Sequence, residues 1–96
     1  MSGGFELLQG VSGATHTEAF AVNRSGVVVG QSRIGNWPSY AVMWMPGSQI
    51  PIDLDVLLPP NNGWHLYRAS GINASGQIVG SAMRNGFHRG FVLTPP

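Results

Sequence analysis

Ile72-Asn73-Ala74-Ser75-Gly76-Gln77-Ile78-Val79-Gly80 repeats Val22-Asn23-Arg24-Ser25-Gly26-Val27-Val28-Val29-Gly30 at a spacing of 50 residues (73 − 23 for the Asn, 80 − 30 for the closing Gly). Each copy reads as a β-hairpin. Asn suits the opening of the turn, and Gly26 and Gly76 suit the left-handed residue of a type I turn with a G1 bulge. Residues 18–22 alternate, and three consecutive valines, Val27, Val28 and Val29, predict a return strand covered on both faces. A hairpin written twice in 96 residues makes this a repeat chain, and the repeat sets the architecture.

Working outward, residues 39–45, with Tyr40-Ala41-Val42-Met43-Trp44 at their centre, predict a third strand. Pro46-Gly47 turns the chain, and residues 49–54 alternate as a fourth strand. After a long connection through Leu57-Leu58-Pro59-Pro60-Asn61-Asn62-Gly63 the cycle restarts, with strands expected over residues 67–72, 77–82 and 90–94. Upstream, Phe5-Glu6-Leu7-Leu8 predicts a short strand matching residues 52–57, followed by a Gly/Ser/Thr loop over residues 9–17. Gly or Pro interrupts every window with a helical period, so no helix is expected.

By repeat, the strand order is d-a-b-c-d-a-b-c, an all-β chain of two four-stranded antiparallel meander units with the longest links between d and a. That organisation, at about 50 residues per unit, is propeller-blade-like. Residues 1–96 form a single domain in which 18–54 is a complete unit and 67–96 plus 5–8 are complementary fragments. One blade cannot cover its own two faces, so copies are expected to close into a ring by oligomerisation. The strand Phe5-Glu6-Leu7-Leu8 of one copy would pair with the edge strand Gly90-Phe91-Val92-Leu93-Thr94 of a neighbour. A monomeric eight-strand sandwich or small barrel is the alternative.

Composition narrows the partners. Charged residues are 9% of the chain, against about 25% in an average globular protein, and the net charge is +1. The basic residues are five scattered arginines that form no phosphate-tracking stripe, so nucleic acid is not an expected partner. So little charge leaves weak repulsion between copies. With no Cys there is no disulfide or thiolate chemistry. Met1-Ser2-Gly3-Gly4 has neither the basic nor the apolar region of a signal peptide, and no run approaches eighteen apolar residues; no membrane association is expected.

The pattern of Ala, Ile/Val-Asn, Gly and Val-Gly, followed by a strand ending in Trp or Leu, resembles the bacterial HAF-repeat family of probable extracellular repeats. One copy carries Ala19-Phe20-Ala21-Val22-Asn23, Gly26 and Val29-Gly30, then Ala41-Val42-Met43-Trp44-Met45-Pro46-Gly47. The other carries Ala69-Ser70-Gly71-Ile72-Asn73, Gly76 and Val79-Gly80, then Gly90-Phe91-Val92-Leu93-Thr94-Pro95. The His-Ala-Phe triplet itself is Tyr40-Ala41-Val42 in one and Arg89-Gly90-Phe91 in the other. The resemblance covers nearly the whole chain and implies an extracellular location, whereas the missing signal peptide implies a cytoplasmic one. It brings no activity with it. The chain is also similar to small stand-alone products of integron gene cassettes.

Asp53 and Asp55 are the closest carboxylate pair. Two apart on a strand they share a face at roughly 6.5–7 Å, within glycosidase separations. Their alternation with Ile52, Leu54 and Val56 equally makes them solvent-side residues of an outer strand. His16, His65 and His88 lack metal-ligand spacing, although His16 and His65 fall in the same d–a connection of successive repeats. Asn23-Arg24-Ser25 and Asn73-Ala74-Ser75 spell glycosylation sequons, but the turn alone accounts for both Asn residues. Trp44 reads as core. The candidate binding or interface residues are Trp37, Tyr40, Trp64, His65, Tyr67, Arg68, His88 and Arg89, an aromatic, His and Arg set placed largely on loops. The expected function is a non-enzymatic ring-forming scaffold that binds itself and a carbohydrate or small molecule, without catalytic residues, cofactor or metal. A small glycosidase-like hydrolase and a lectin-like monomer are the alternatives.

Overall fold

Both Asn-x-Ser-Gly stretches form the turn their residues dictate. In the computed structural model, which describes residues 4–95, Gly26 and Gly76 hold φ of 90° and 84°. Each Gly N–H donates to the Asn carbonyl three residues back, and each Asn side-chain oxygen accepts from the N–H four residues on. Only a residue tolerant of positive φ closes this turn, which is why Gly recurs there. The repeat persists beyond the motif: Gly13 and Gly63 share φ of 81° and 82°, and Gly35 and Asn85 share 54° and 49°.

The strands are β1 (His16–Val22), β2 (Val28–Arg33), β3 (Tyr40–Trp44), β4 (Ile52–Asp53), β5 (His65–Ile72), β6 (Ile78–Arg84) and β7 (Phe87–Leu93), with a 3-10 turn over Leu54–Leu57. The protein is all-β, built as two antiparallel sheets ordered β1-β2-β3-β4 and β5-β6-β7. Their registers match. Ala21, Val29 and Met43 stand opposite one another in the first sheet as Gly71, Val79 and Val92 do in the second. Likewise Val22, Val28 and Trp44 form a row equivalent to Ile72, Ile78 and Leu93.

The face of the first sheet carrying Val29, Ala41 and Met43 packs against the second sheet. Strand β5 lies across β1, β2 and β3, and Leu54, Leu66, Ala69, Ile78 and Ala82 complete one apolar core. On the opposite face of the first sheet, residues 9–14 cover Trp44 and Ser32. There Trp44 Nε1 donates to the Gln9 carbonyl at 2.9 Å, and Val11 N donates to the hydroxyl of buried Ser32 at 3.0 Å. The two-sided cover expected for the three valines is present only in part: Val29 is fully buried, Val28 on the other face is half-buried, and Val27 precedes the strand. Trp44→Phe removes one half-buried hydrogen bond and leaves a cavity at a fully buried site; denaturant titration should show a loss of about 2–3 kcal/mol.

Two expectations are corrected, and a further expected strand finds no partner within one copy. Phe5 to Leu8 is not a strand within the chain: Gln9 N donates to the Gln49 carbonyl, and upstream of it the segment joins neither sheet, leaving Phe5 88% and Leu7 73% exposed. The fourth strand shrinks from residues 49–54 to Ile52–Asp53. Pro51 has no N–H for the ladder, and the Asp53 side chain accepts from Asp55 N and starts the 3-10 turn, which ends the strand there. Strand β7 begins at Phe87 because Asn85-Gly86, with φ of 49° and 82°, makes a two-residue hairpin turn rather than a loop.

Candidate functional site

Asp53 and Asp55 do not form an opposed carboxylate pair, nor do they face solvent on an outer strand. Asp53 Oδ1 accepts from Asp55 N at 3.0 Å and caps the turn. The turn aims the Asp55 carboxylate at β5, where Oδ2 lies 2.6 Å from His65 Nδ1 and Oδ1 accepts from Leu66 N at 2.8 Å. His65 Nε2 lies 2.8 Å from the Ser39 carbonyl oxygen, and the Ser39 hydroxyl donates to the Tyr67 carbonyl at 2.7 Å. Acyl transfer through a His–Asp pair needs the distal ring nitrogen on a nucleophile. Here that nitrogen meets a backbone carbonyl, and the neighbouring hydroxyl points elsewhere. The cluster is a clamp joining the 3-10 turn, β3 and β5, and His65 is a half-buried member of it rather than an exposed loop residue.

The clamp gathers half of the candidate residues. Tyr40 meets the His65 ring edge-on at 5.3 Å. Tyr67 meets His88 edge-on at 5.6 Å, its hydroxyl 3.0 Å from His88 Nδ1. Ser39, between Tyr40 and the Tyr67 carbonyl, links the two pairs.

Trp64 and Arg89 belong to a second place. With Leu58, Leu66, Ala82 and Phe91 they line a mostly apolar cavity of about 310 Å³ between the second sheet and the segment that crosses to β5. The Arg84 guanidinium sits 4.8 Å from the Trp64 ring centre, and Arg89 lies 5.5 Å from that of Phe87 while donating to the His88 carbonyl. Trp37, 71% exposed in the β2–β3 loop, and Arg68, stacked 4.2 Å over Phe20, enter neither group. His16 opens β1 and contacts Thr15, and it is Thr15, 50 residues before His65, that occupies the equivalent position. Among the described residues no group of three or more His, Cys, Asp or Glu could hold a metal ion.

Sequence reasoning missed Ser39, the role of Asp55 and the apolar half of the cavity. Asp55 and His65 are ten residues apart with a turn between them, a spacing that carries no motif. Leu58 and Leu66 flank the Pro-rich connection and could have been found as its apolar anchors.

Burial pushes the Asp53 carboxyl above its ordinary value; the Asp55 N–H pulls it down, the Asp55 charge raises it and a charged His65 lowers it. A carboxyl raised in the folded state favours folding below its unfolded value, and that contribution is lost as pH rises through the folded one. Asp53→Asn keeps a cap acceptor without the charge, so its stability relative to wild type should increase as pH climbs through the acidic range. Asp53→Ala should instead cost about 0.5–1 kcal/mol. Thermal melts from acid to neutral pH compare the two.

No protein-family model, curated protein or solved structure matches the chain.

Proposed function

We propose that the protein is a non-enzymatic β-repeat scaffold whose copies close head to tail into a ring and present the same binding surface once per copy. The observation that carries this reading is a pair of unmet needs. Strand β7 is a sheet edge, and Phe5 and Leu7 are large apolar side chains left 88% and 73% exposed. Residues 9–14 already lie on the first sheet, as the segment crossing from the 3-10 turn lies on the second, and just upstream Glu6 and Leu8 line a groove beside Val22 and Val28 while Phe5 and Leu7 point away from any cover. Docked along β7 of a neighbour, residues 5–8 would add the missing fourth strand and cover an edge. Similarity to HAF repeats fits this reading, because the Asn and Gly positions behind it are turn and close-approach positions.

The cavity beside Trp64 and Arg89 is the surface offered for a small molecule or carbohydrate; copies in a ring would add avidity. The hydrolase alternative gains nothing from Asp53 and Asp55, whose oxygens already hold backbone N–H groups and His65.

Light scattering coupled to size exclusion tests the assembly. The wild-type chain should elute at a multiple of 10.2 kDa and Phe5→Ser/Leu7→Ser at 10.2 kDa. A wild-type chain that stays monomeric at micromolar concentration overturns the reading.

A further inference from the structure

The core contact between the two sheets has a donor row and an acceptor row, and each occurs twice. Inside the chain, the Ala21-Val29-Met43 row of the first sheet meets Ile72 and Ile78 of the second; Met43, Ile72 and Ile78 line one small apolar cavity, and Val29 and Ile78 are fully buried. The second sheet repeats the first of these rows in the same register, as Gly71-Val79-Val92, on its other face. Nothing among the described residues covers that copy: Val79 is 45% and Val92 67% exposed, where equivalent Val29 is at zero. The first sheet repeats the complementary row as Val22-Val28: Val22 is 62% exposed and Val28 half-buried, with Glu6 and Leu8 beside them, while Trp44 at the end of the row is already covered. Neither row itself carries a charged side chain, and Glu6 borders the Val22-Val28 row.

We propose that a second copy of this chain seats its Val22-Val28 row on the open Gly71-Val79-Val92 row, repeating between copies the sheet-on-sheet contact made within one. The inference rests on the self-assembly reading but concerns a sheet face rather than the β7 edge. A second copy is the occupant because the same molecule carries the row complementary to the open one, exposed at Val22 and flanked by a groove beside Val28. Such a contact is heterologous: each copy gives one surface and receives the other, so it propagates until a ring closes. The turns repeat as well. Within the chain Asn23 Nδ2 donates to the Asn73 carbonyl at 3.0 Å, while Asn73 Nδ2 rests on its own neighbour Gln77. In the repeated contact Asn73 turns its amide to the Asn23 carbonyl of the next copy.

Sedimentation velocity across the micromolar range, on wild type, Val92→Arg, Val22→Asp, the chain carrying both changes and Phe5→Ser/Leu7→Ser, tests it. The two charged variants alter side chains already exposed in one copy, so their circular dichroism and melting temperature should match wild type. Each alone should raise the dissociation constant by about a hundredfold, since it buries an unpaired charge at every contact. Combined in one chain, the two changes should restore assembly, because every contact is then an Arg–Asp pair whatever the number of copies. Wild-type association in Val92→Arg or Val22→Asp, or no recovery in the chain carrying both changes, overturns the face contact whatever the Phe5/Leu7 variant does. Loss of assembly in the charged variants with full assembly in the Phe5/Leu7 variant supports the face and refutes the edge. A monomeric wild-type chain overturns both.

Discussion

Gly80→Ala should lose about 3 kcal/mol of stability, at the upper end for overpacking, because the added methyl meets backbone rather than a side chain that could swing away. A Cβ at Gly80 would lie 1.9 Å from the Arg68 carbonyl oxygen and 2.8 Å from the Phe91 ring. The cause is the bulge between Ala69 and Gly71, which carries the β5 backbone over β6 at this position. The first sheet has the same bulge between Ala19 and Ala21, and there a Cβ on Gly30 would lie 1.9 Å from the Glu18 carbonyl oxygen. Gly30→Ala should therefore cost a similar amount. Gly90→Ala is the control: its Cβ finds nothing closer than 3.7 Å, its φ is not positive, and the change should stay within about 0.5 kcal/mol. For a chain of this length 3 kcal/mol corresponds to a melting-temperature fall on the order of 15 °C. Equal melting of Gly80→Ala and Gly90→Ala would contradict the close approach.

These glycines show where sequence was sufficient. The hairpins were legible because their causes are local: Asn and Gly fix the turn, and alternation fixes which side of the strand is apolar. The 50-residue spacing then placed Gly30 and Gly80 in equivalent sites before any contact was known. Residues 49–58 were not legible. Asp53 could continue an alternating strand or cap a turn, and the choice depends on β5 arriving beside Asp55 with His65 and the Leu66 N–H. Propensity has no term for a partner ten residues away across a Pro-rich link. The open Val79-Val92 row was hidden for a related reason. Its sequence matches a strand buried on both faces, and only the packing of the first sheet shows which face the second leaves uncovered.

Asp55→Ala should lose about 2–3 kcal/mol, the value of two charge-supported hydrogen bonds discounted for partial exposure. The Leu66 N–H, on a residue only 2% exposed, would be left without its acceptor, and His65 would lose the group that orients it. Side-chain exposures of 27% for His65 and 30% for Asp55 let water replace part of the second bond but little of the first. Asp55→Asn separates the two. Its amide oxygen can still accept from Leu66 N, and its amide nitrogen can donate to a neutral His65 whose Nε2–H faces the Ser39 carbonyl. It should therefore retain most of the stability that Asp55→Ala loses. His65→Ala alone should cost less than Asp55→Ala, because the Leu66 bond survives, and the double variant should cost less than the two singles summed. Denaturant titration of the four chains measures this coupling. Strict additivity would show that Asp55 and His65 act independently, and the link from the 3-10 turn through β5 to β3 would then hold no energy of its own.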